Sequence, residues 1–166
     1  MNLGRIARHL LSVPGRARRC FPPEVLAEIE RAIVAVEKSH AGELCFAIEN
    51  ALPFAELRGG VTPRERALHV FSLLRVWDTA ANNGVLVYVL LAARSIHIVA
   101  DRGFAGSVSD GEWAAVCRLM EAEFRAGRFE AGSLAGIAAV SALVGRHFPP
   151  RPDDRNELPD APVVLG

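Results

Sequence analysis

Apolar residues recur along this chain in two periods, and the changes of period mark its elements. Over residues 22–39 the spacing is helical, with Leu26, Ile29, Ile33 and Val36 on one stripe. Pro22-Pro23 suits a first turn, where a missing amide hydrogen costs nothing, and Gly42 breaks the pattern. Residues 43–49 alternate: Leu44, Phe46 and Ile48 face one way, Cys45 and Ala47 the other, which predicts a strand. A loop is expected around Pro53 and Gly59-Gly60. Thr62-Pro63-Arg64-Glu65 then opens a helix, with Thr62 as N-cap, proline at the first helical position and Glu65 completing a capping box. Its buried face is Ala67, Val70, Phe71 and Leu74, and it is expected to end near Trp77.

A polar turn over residues 78–84 leads into Val85-Leu86-Val87-Tyr88-Val89-Leu90-Leu91, apolar on both faces, which predicts a central strand covered on both sides. Ile96, Ile98 and Ala100 alternate with His97, Val99 and Asp101 in a third strand. Ser109-Asp110-Gly111-Glu112 is a second capping box, and its helix buries Trp113, Val116, Cys117, Met120 and Phe124. Beyond Gly127 a last helix carries Leu134, Ile137, Val140 and Val144 on one face, with Gly132 and Gly136 placed for close helix packing. The predicted order is α-α-β-α-β-β-α-α. Strands one and two should be parallel across the crossover helix, and strands two and three an antiparallel hairpin. The expected fold class is α/β, a small mixed sheet with helices on both faces, a three-layer sandwich. Three parts are expected: a basic amphipathic N-terminal helix over residues 1–20, the α/β domain over 21–148, and a Pro-rich acidic tail over 149–166, with Val163, Val164 and Leu165 as its docking residues.

Charge changes this picture in one place. The 166 residues carry 19 basic and 19 acidic side chains, a net charge of zero, which argues against nucleic acid as a partner. Residues 1–23, however, hold five arginines, one histidine and no acid. Leu3, Ala7, Leu10 and Leu11 can share a helical face with Arg5 and Arg8 beside it. That pattern fits a docking helix with a solvated basic side, attachment to an anionic membrane surface, or an organelle transit peptide. Cys20, Cys45 and Cys117 are widely spaced, so neither a disulfide framework nor a zinc site is expected. A reducing compartment follows: the cytoplasm, with peripheral attachment to the inner membrane left open. No apolar run is long enough to span a bilayer, and no secretory pattern is evident.

The predicted topology places Glu43, the Asp78–Asn83 loop and Asp101-Arg102 at one end of the sheet. Glu43, Asp78, Asn82, Asn83 and Asp101 would offer carboxylate and amide oxygens of the kind that hold Ca²⁺ or Mg²⁺. Arg102 and Arg64 are candidates for an anion, Arg64 from the far end of the crossover. The same residues also read as ordinary turn chemistry, since Asp and Asn satisfy nearby amides. Ligands of open α/β sheets usually sit at the carboxyl ends of the parallel strands, where Glu49, Asn50, Arg58 and Arg94 form a rival group. Gly103-Phe104-Ala105-Gly106 lacks a phosphate-loop Lys-Ser/Thr, the five histidines have no metal spacing, and no serine or cysteine stands in a catalytic signature.

Four segments together resemble a known family. Arg64-Glu65-Arg66-Ala67, Val70-Phe71, Thr79 with Asn83-Gly84-Val85-Leu86-Val87-Tyr88, and Ile98-Val99-Ala100-Asp101-Arg102-Gly103 are similar to the TPM domain, named for a thylakoid lumen protein, a photosystem II repair protein and a nematode receptor modulator. The likeness spans residues 29–148 and is closest to short bacterial members. It implies an α/β sandwich, with Asn83-Gly84 and Asp101 at the family's strand start and strand exit. A plant member is described as an acid phosphatase, and some members bind divalent cations. Many carry a signal peptide and a membrane anchor, patterns not seen here. Three functions are therefore expected in competition: a Ca²⁺- or Mg²⁺-binding TPM domain with an assembly or quality-control role at a membrane surface or on a membrane-protein partner; a metal-assisted phosphatase with Asp78 and Asp101 on the metal and Arg102 on the phosphoryl oxygens; or a protein-interaction module using the tail.

Overall fold

The computed structural model describes His9, residues 15–153 and residues 155–166. Leu3, Arg5, Ala7, Arg8, Leu10 and Leu11, on which the amphipathic reading of the N-terminus rests, lie outside the described residues. The elements run α1 (Arg16–Cys20), α2 (Pro23–Glu37), β1 (Glu43–Glu49), α3 (Phe54–Arg58), α4 (Pro63–Leu73), β2 (Gly84–Leu90), β3 (Ser95–Ala100), a 3-10 turn (Arg102–Phe104), α5 (Asp110–Arg125), α6 (Phe129–Gly145) and β4 (Val163–Leu165). The strands form one mixed sheet in the order β3-β2-β1-β4. β1 and β2 are parallel, Glu43 opposite Gly84, and β2 and β3 antiparallel, Val85 opposite Ala100.

Period-two alternation divides the core between the two faces of this sheet. Leu44, Phe46, Ile48, Val85, Val87 and Val89 meet Ile29 and Ile33 of α2, Val116 and Met120 of α5, and Ile137, Val140 and Val144 of α6. On the other face Cys45, Ala47, Leu86, Tyr88 and Leu90 meet Leu57 of α3 and Ala67 and Val70 of α4. Every residue of β1 and β2 is buried, as two covered faces require. Burying each large aliphatic or aromatic side chain there contributes about 1.5–3 kcal/mol. Both capping boxes form as the sequence predicts, Thr62 with Glu65 and Ser109 with Glu112. Gly132 lies against Phe124 and Gly136 against Met120, which lets α5 and α6 approach closely.

Two elements depart from the predicted order. The loop after β1 contains the short helix α3, a single turn too brief to show periodicity, anchored by buried Leu57. The tail supplies β4, parallel to β1 with Val163 opposite Ala47, and its Leu158 enters the second core. The crossover helix ends at Leu73, four residues before the predicted stop at Trp77, and Trp77 is exposed. Among the described residues no helix is long and apolar enough to cross a membrane.

Candidate functional site

Strand pairing brings most of the predicted polar residues to the amino end of β1 and β2. The Glu43 amide donates to Asn83 O (3.2 Å), the Asp101 amide to Gly84 O (2.9 Å) and the Gly103 amide to Asn82 O (3.0 Å). Arg102 Nε donates to Asn82 Oδ1 at 2.8 Å. The side chains then part company. Asn83 donates through Nδ2 to Ala41 O, on the α6 side of the sheet. Glu43, one residue before the inward Leu44, lies on the opposite face and accepts from the Leu158 amide at 3.0 Å. Asp78 is exposed and pairs with Arg75, three residues away. The predicted oxygen set is thus split: Glu43 is engaged by the tail and Asp78 by a surface arginine, while Asn83 gives its amide nitrogen to Ala41 and keeps a shielded Oδ1 with no hydrogen-bond partner among the described residues.

Asp101, like Asn83, keeps a shielded oxygen, and it is a carboxylate. Its Oδ1 accepts from the Arg102 amide at 2.7 Å, capping the 3-10 turn. Its Oδ2 is shielded from solvent with no hydrogen-bond partner among the described residues. The carbonyl oxygens of Ala81 and Asn82 crowd the next turn at Gly103, where a side chain would overlap them. A shielded carboxylate oxygen is the hard donor type that Ca²⁺ and Mg²⁺ take. Among the described residues no group of three or more His, Cys, Asp or Glu is placed to hold a metal ion.

The sequence missed the carboxylates the tail brings. Both carboxylate oxygens of Glu157 accept from the Ala80 amide, at 3.2 and 3.0 Å. Asp160 meets Glu37, which also accepts from the Leu44 amide at 2.8 Å. Burial, then the Asp160 hydrogen bond and the nearby Glu43 charge, push the Glu37 carboxyl up to about 8 against the opposing Leu44 bond. No spacing rule could find these contacts, since Glu157 lies 77 residues beyond Ala80 and Asp160 more than a hundred beyond Glu37.

Arg64 is not remote from Arg102. Its Nη1 donates to Ile98 O at 2.6 Å, on the edge of β3 away from β2. Arg64, Asp101 and Arg102 line one groove of about 690 Å³ along that edge, with His97, Trp113 and Cys117. Burial, reinforced by the Arg64 charge, holds His97 below its ordinary value. Burial raises the Cys117 thiol, so it is not poised as a thiolate nucleophile.

At the rival end, Glu49 is fully buried and closed off. Arg66 grips it with two bonds (2.9 and 2.7 Å), Tyr88 donates its hydroxyl to it, and Arg66 also bonds Glu56 at 2.8 Å. Burial, and then the bond to Glu49, hold the Tyr88 hydroxyl well above its ordinary range. These groups tie β1, β2, α3 and α4 together.

The TPM domain profile matches residues 18–143. Among curated proteins no relative matches. The solved NMR structure of BA42 protein from the psychrophilic bacterium Bizionia argentinensis is similar over 86% of this chain and 93% of its own, at 29% identity and a TM-score of 0.73. The N-terminal domain of a protein from P. gingivalis shares the fold at 22% identity and a TM-score of 0.59, over 76% of this chain and 78% of that one. A profile match that runs from α1 to the last turns of α6, over a sheet with the Asn-Gly start at Gly84 and the Asp-Arg-Gly exit at Asp101, establishes that the chain belongs to the TPM domain family.

Proposed function

We propose that this TPM domain is a binding module whose site is a weak Ca²⁺ or Mg²⁺ position at Asp101. The observation that carries this reading is Asp101 Oδ2, buried without a donor. A carboxylate oxygen shielded from water needs a counter-charge or a donor, and a hard cation supplies one. With a single carboxylate the affinity falls in the millimolar range of sites with few charged ligands. The basic α1, with exposed Arg18 and Arg19, supports a place for the module at an anionic membrane surface, and an assembly or quality-control role there.

The test is a calcium and magnesium titration by calorimetry of the chelator-stripped protein and two variants. Asp101→Asn should abolish binding, while Asp78→Asn should leave it unchanged, because Asp78 pairs with Arg75 outside the site. Equal binding by Asp101→Asn and the parent contradicts the proposal.

A second reading, metal-assisted phosphatase, draws on the gathering of Arg64, Arg102 and Asp101 in one groove. There the arginines would hold phosphoryl oxygens and the cation would polarise them. Metal-dependent turnover of small phosphate esters between acid and neutral pH, lost in Arg102→Gln, is its expected result. Absence of turnover at saturating metal removes it.

A further inference from the structure

The opposite end of the sheet carries a different kind of site. A cavity of about 240 Å³ opens where β2 turns into β3. Its floor is apolar, made by Leu91, Ile96, Phe124 and Phe129. Its mouth carries three guanidinium groups from three elements: Arg16 of α1, Arg94 of the β2–β3 turn and Arg125 at the end of α5. Arg125 is bridged to Glu121 at 3.1 Å. Arg16 and Arg94 have no carboxylate partner among the described residues, so the mouth keeps a net positive charge. The Ser95 hydroxyl, also lining the cavity, is shielded from solvent and has no partner among the described residues.

Arg94 is also held in the left-handed region, at φ 52, where a residue with a Cβ is disfavoured and glycine or asparagine is the usual choice. A turn of this kind would be built more cheaply with glycine. The cavity exceeds the roughly 150 Å³ of an engineered apolar cavity that takes up benzene.

We infer that this cavity binds a small amphiphilic anion, a carboxylate or phosphate on a short apolar tail. The tail would lie on Ile96, Phe124 and Phe129, and the head would meet Arg16 and Arg94 and accept from the Ser95 hydroxyl. The Asp101 position lies at the other end of β3, and its groove meets this cavity only at Ile96 and Glu121. Such a head can belong to a free metabolite or to an anionic lipid, and the experiment separates the two.

Octanoate, octyl phosphate and uncharged octanol are titrated into the full chain, followed by amide shifts and calorimetry. The two anions should saturate, with shifts centred on Arg94, Ser95 and Ile96, and octanol should bind about tenfold more weakly, the worth of one charge-assisted hydrogen bond. Arg94→Gln and Arg16→Gln should each weaken the anions about tenfold with an unchanged melting temperature, and exposed Arg18→Gln should not. Sedimentation with phosphatidylcholine vesicles, with and without phosphatidylserine, follows. Retention by phosphatidylserine that octyl phosphate displaces identifies a lipid head, and octanoate binding without vesicle retention identifies a free amphiphile. Octanol binding as tightly as octanoate, anion binding unaffected by Arg94→Gln, or no saturable binding overturns the inference.

Discussion

Replacing Glu37 by glutamine should remove a pH-dependent weakness from the fold. Glu37 sits at the end of α2, where the Leu44 amide and the tail residue Asp160 both meet its carboxyl group. Glu43, Lys38, His40 and Arg151 face the same cavity. In the folded chain the carboxyl is raised from an ordinary 4.5 to about 8. Below pH 4.5 it is protonated whether the chain is folded or not, and no cost arises. Between pH 4.5 and about 8 the unfolded chain releases the proton while the folded chain keeps it. The folded state then binds more protons, so stability falls as pH rises through this window. At about 1.4 kcal/mol per pH unit the interval sets a ceiling of about 5 kcal/mol. Glu37 is only half-buried, and solvent screening brings the expected loss to about 2 kcal/mol. For a chain of this size that is a fall of about 4–8 °C in melting temperature. Glutamine keeps the oxygen that accepts from Leu44, adds a donor for Asp160, and does not titrate. Thermal melts of parent and Glu37→Gln from pH 4.5 to 8.5 test this, since groups that do not interact with Glu37 cancel in the difference. The two curves should coincide near pH 4.5 and diverge by about 2 kcal/mol near pH 8, the variant being the more stable. Parallel curves across the range would refute the reasoning.

Three further outcomes follow from packing. Deleting residues 156–166 removes Leu158, β4 and the Glu157 and Glu43 bonds, and should cost about 2–3 kcal/mol; an unchanged melting temperature would mean that the tail does not belong to the domain. Arg66→Met leaves the buried Glu49 carboxylate without its ion partner and should cost about 3–5 kcal/mol in denaturant unfolding, while a cost below about 1 kcal/mol would show that the Glu49 network is solvated. Gly84→Ala drives a methyl group into the Val76 carbonyl oxygen, a backbone atom, whereas Gly136→Ala meets only the flexible end of Met120. The first should cost about 3 kcal/mol and the second about 1, and the reverse order would contradict the packing described here.

The central fold was legible because its elements announce themselves locally. Residues 85–91, apolar on both faces, could only be a covered strand, and the two capping boxes marked helix starts to the residue. The parallel and antiparallel pairings followed from the crossover helix between β1 and β2 and the short turn between β2 and β3. β4 was beyond reach as a strand, because three residues after a proline-rich segment carry no periodicity and pair only through a contact more than a hundred residues away. The polar site was half legible for the same reason. Topology brought Glu43, Asn82, Asn83, Asp101 and Arg102 to one end, but which oxygen stays open depends on partners the pattern does not show: the Leu158 amide closes Glu43 and Arg75 takes Asp78, while Asn83 Oδ1 and Asp101 Oδ2 keep none among the described residues. Arg64 was placed at the far end by its position in the chain, yet its long side chain reaches the Ile98 carbonyl and returns it to the groove of Arg102.

The claim that Asp101 is a cation position is tested most directly by amide NMR of the chelator-stripped protein during a Ca²⁺ and then a Mg²⁺ titration. The account predicts saturable shifts in the millimolar range confined to Ala81–Gly84 and Asp101–Gly103, with the amides around Arg75 and Asp78 unmoved. Shifts centred on Asp78, or none near Asp101 at saturating cation, would contradict it.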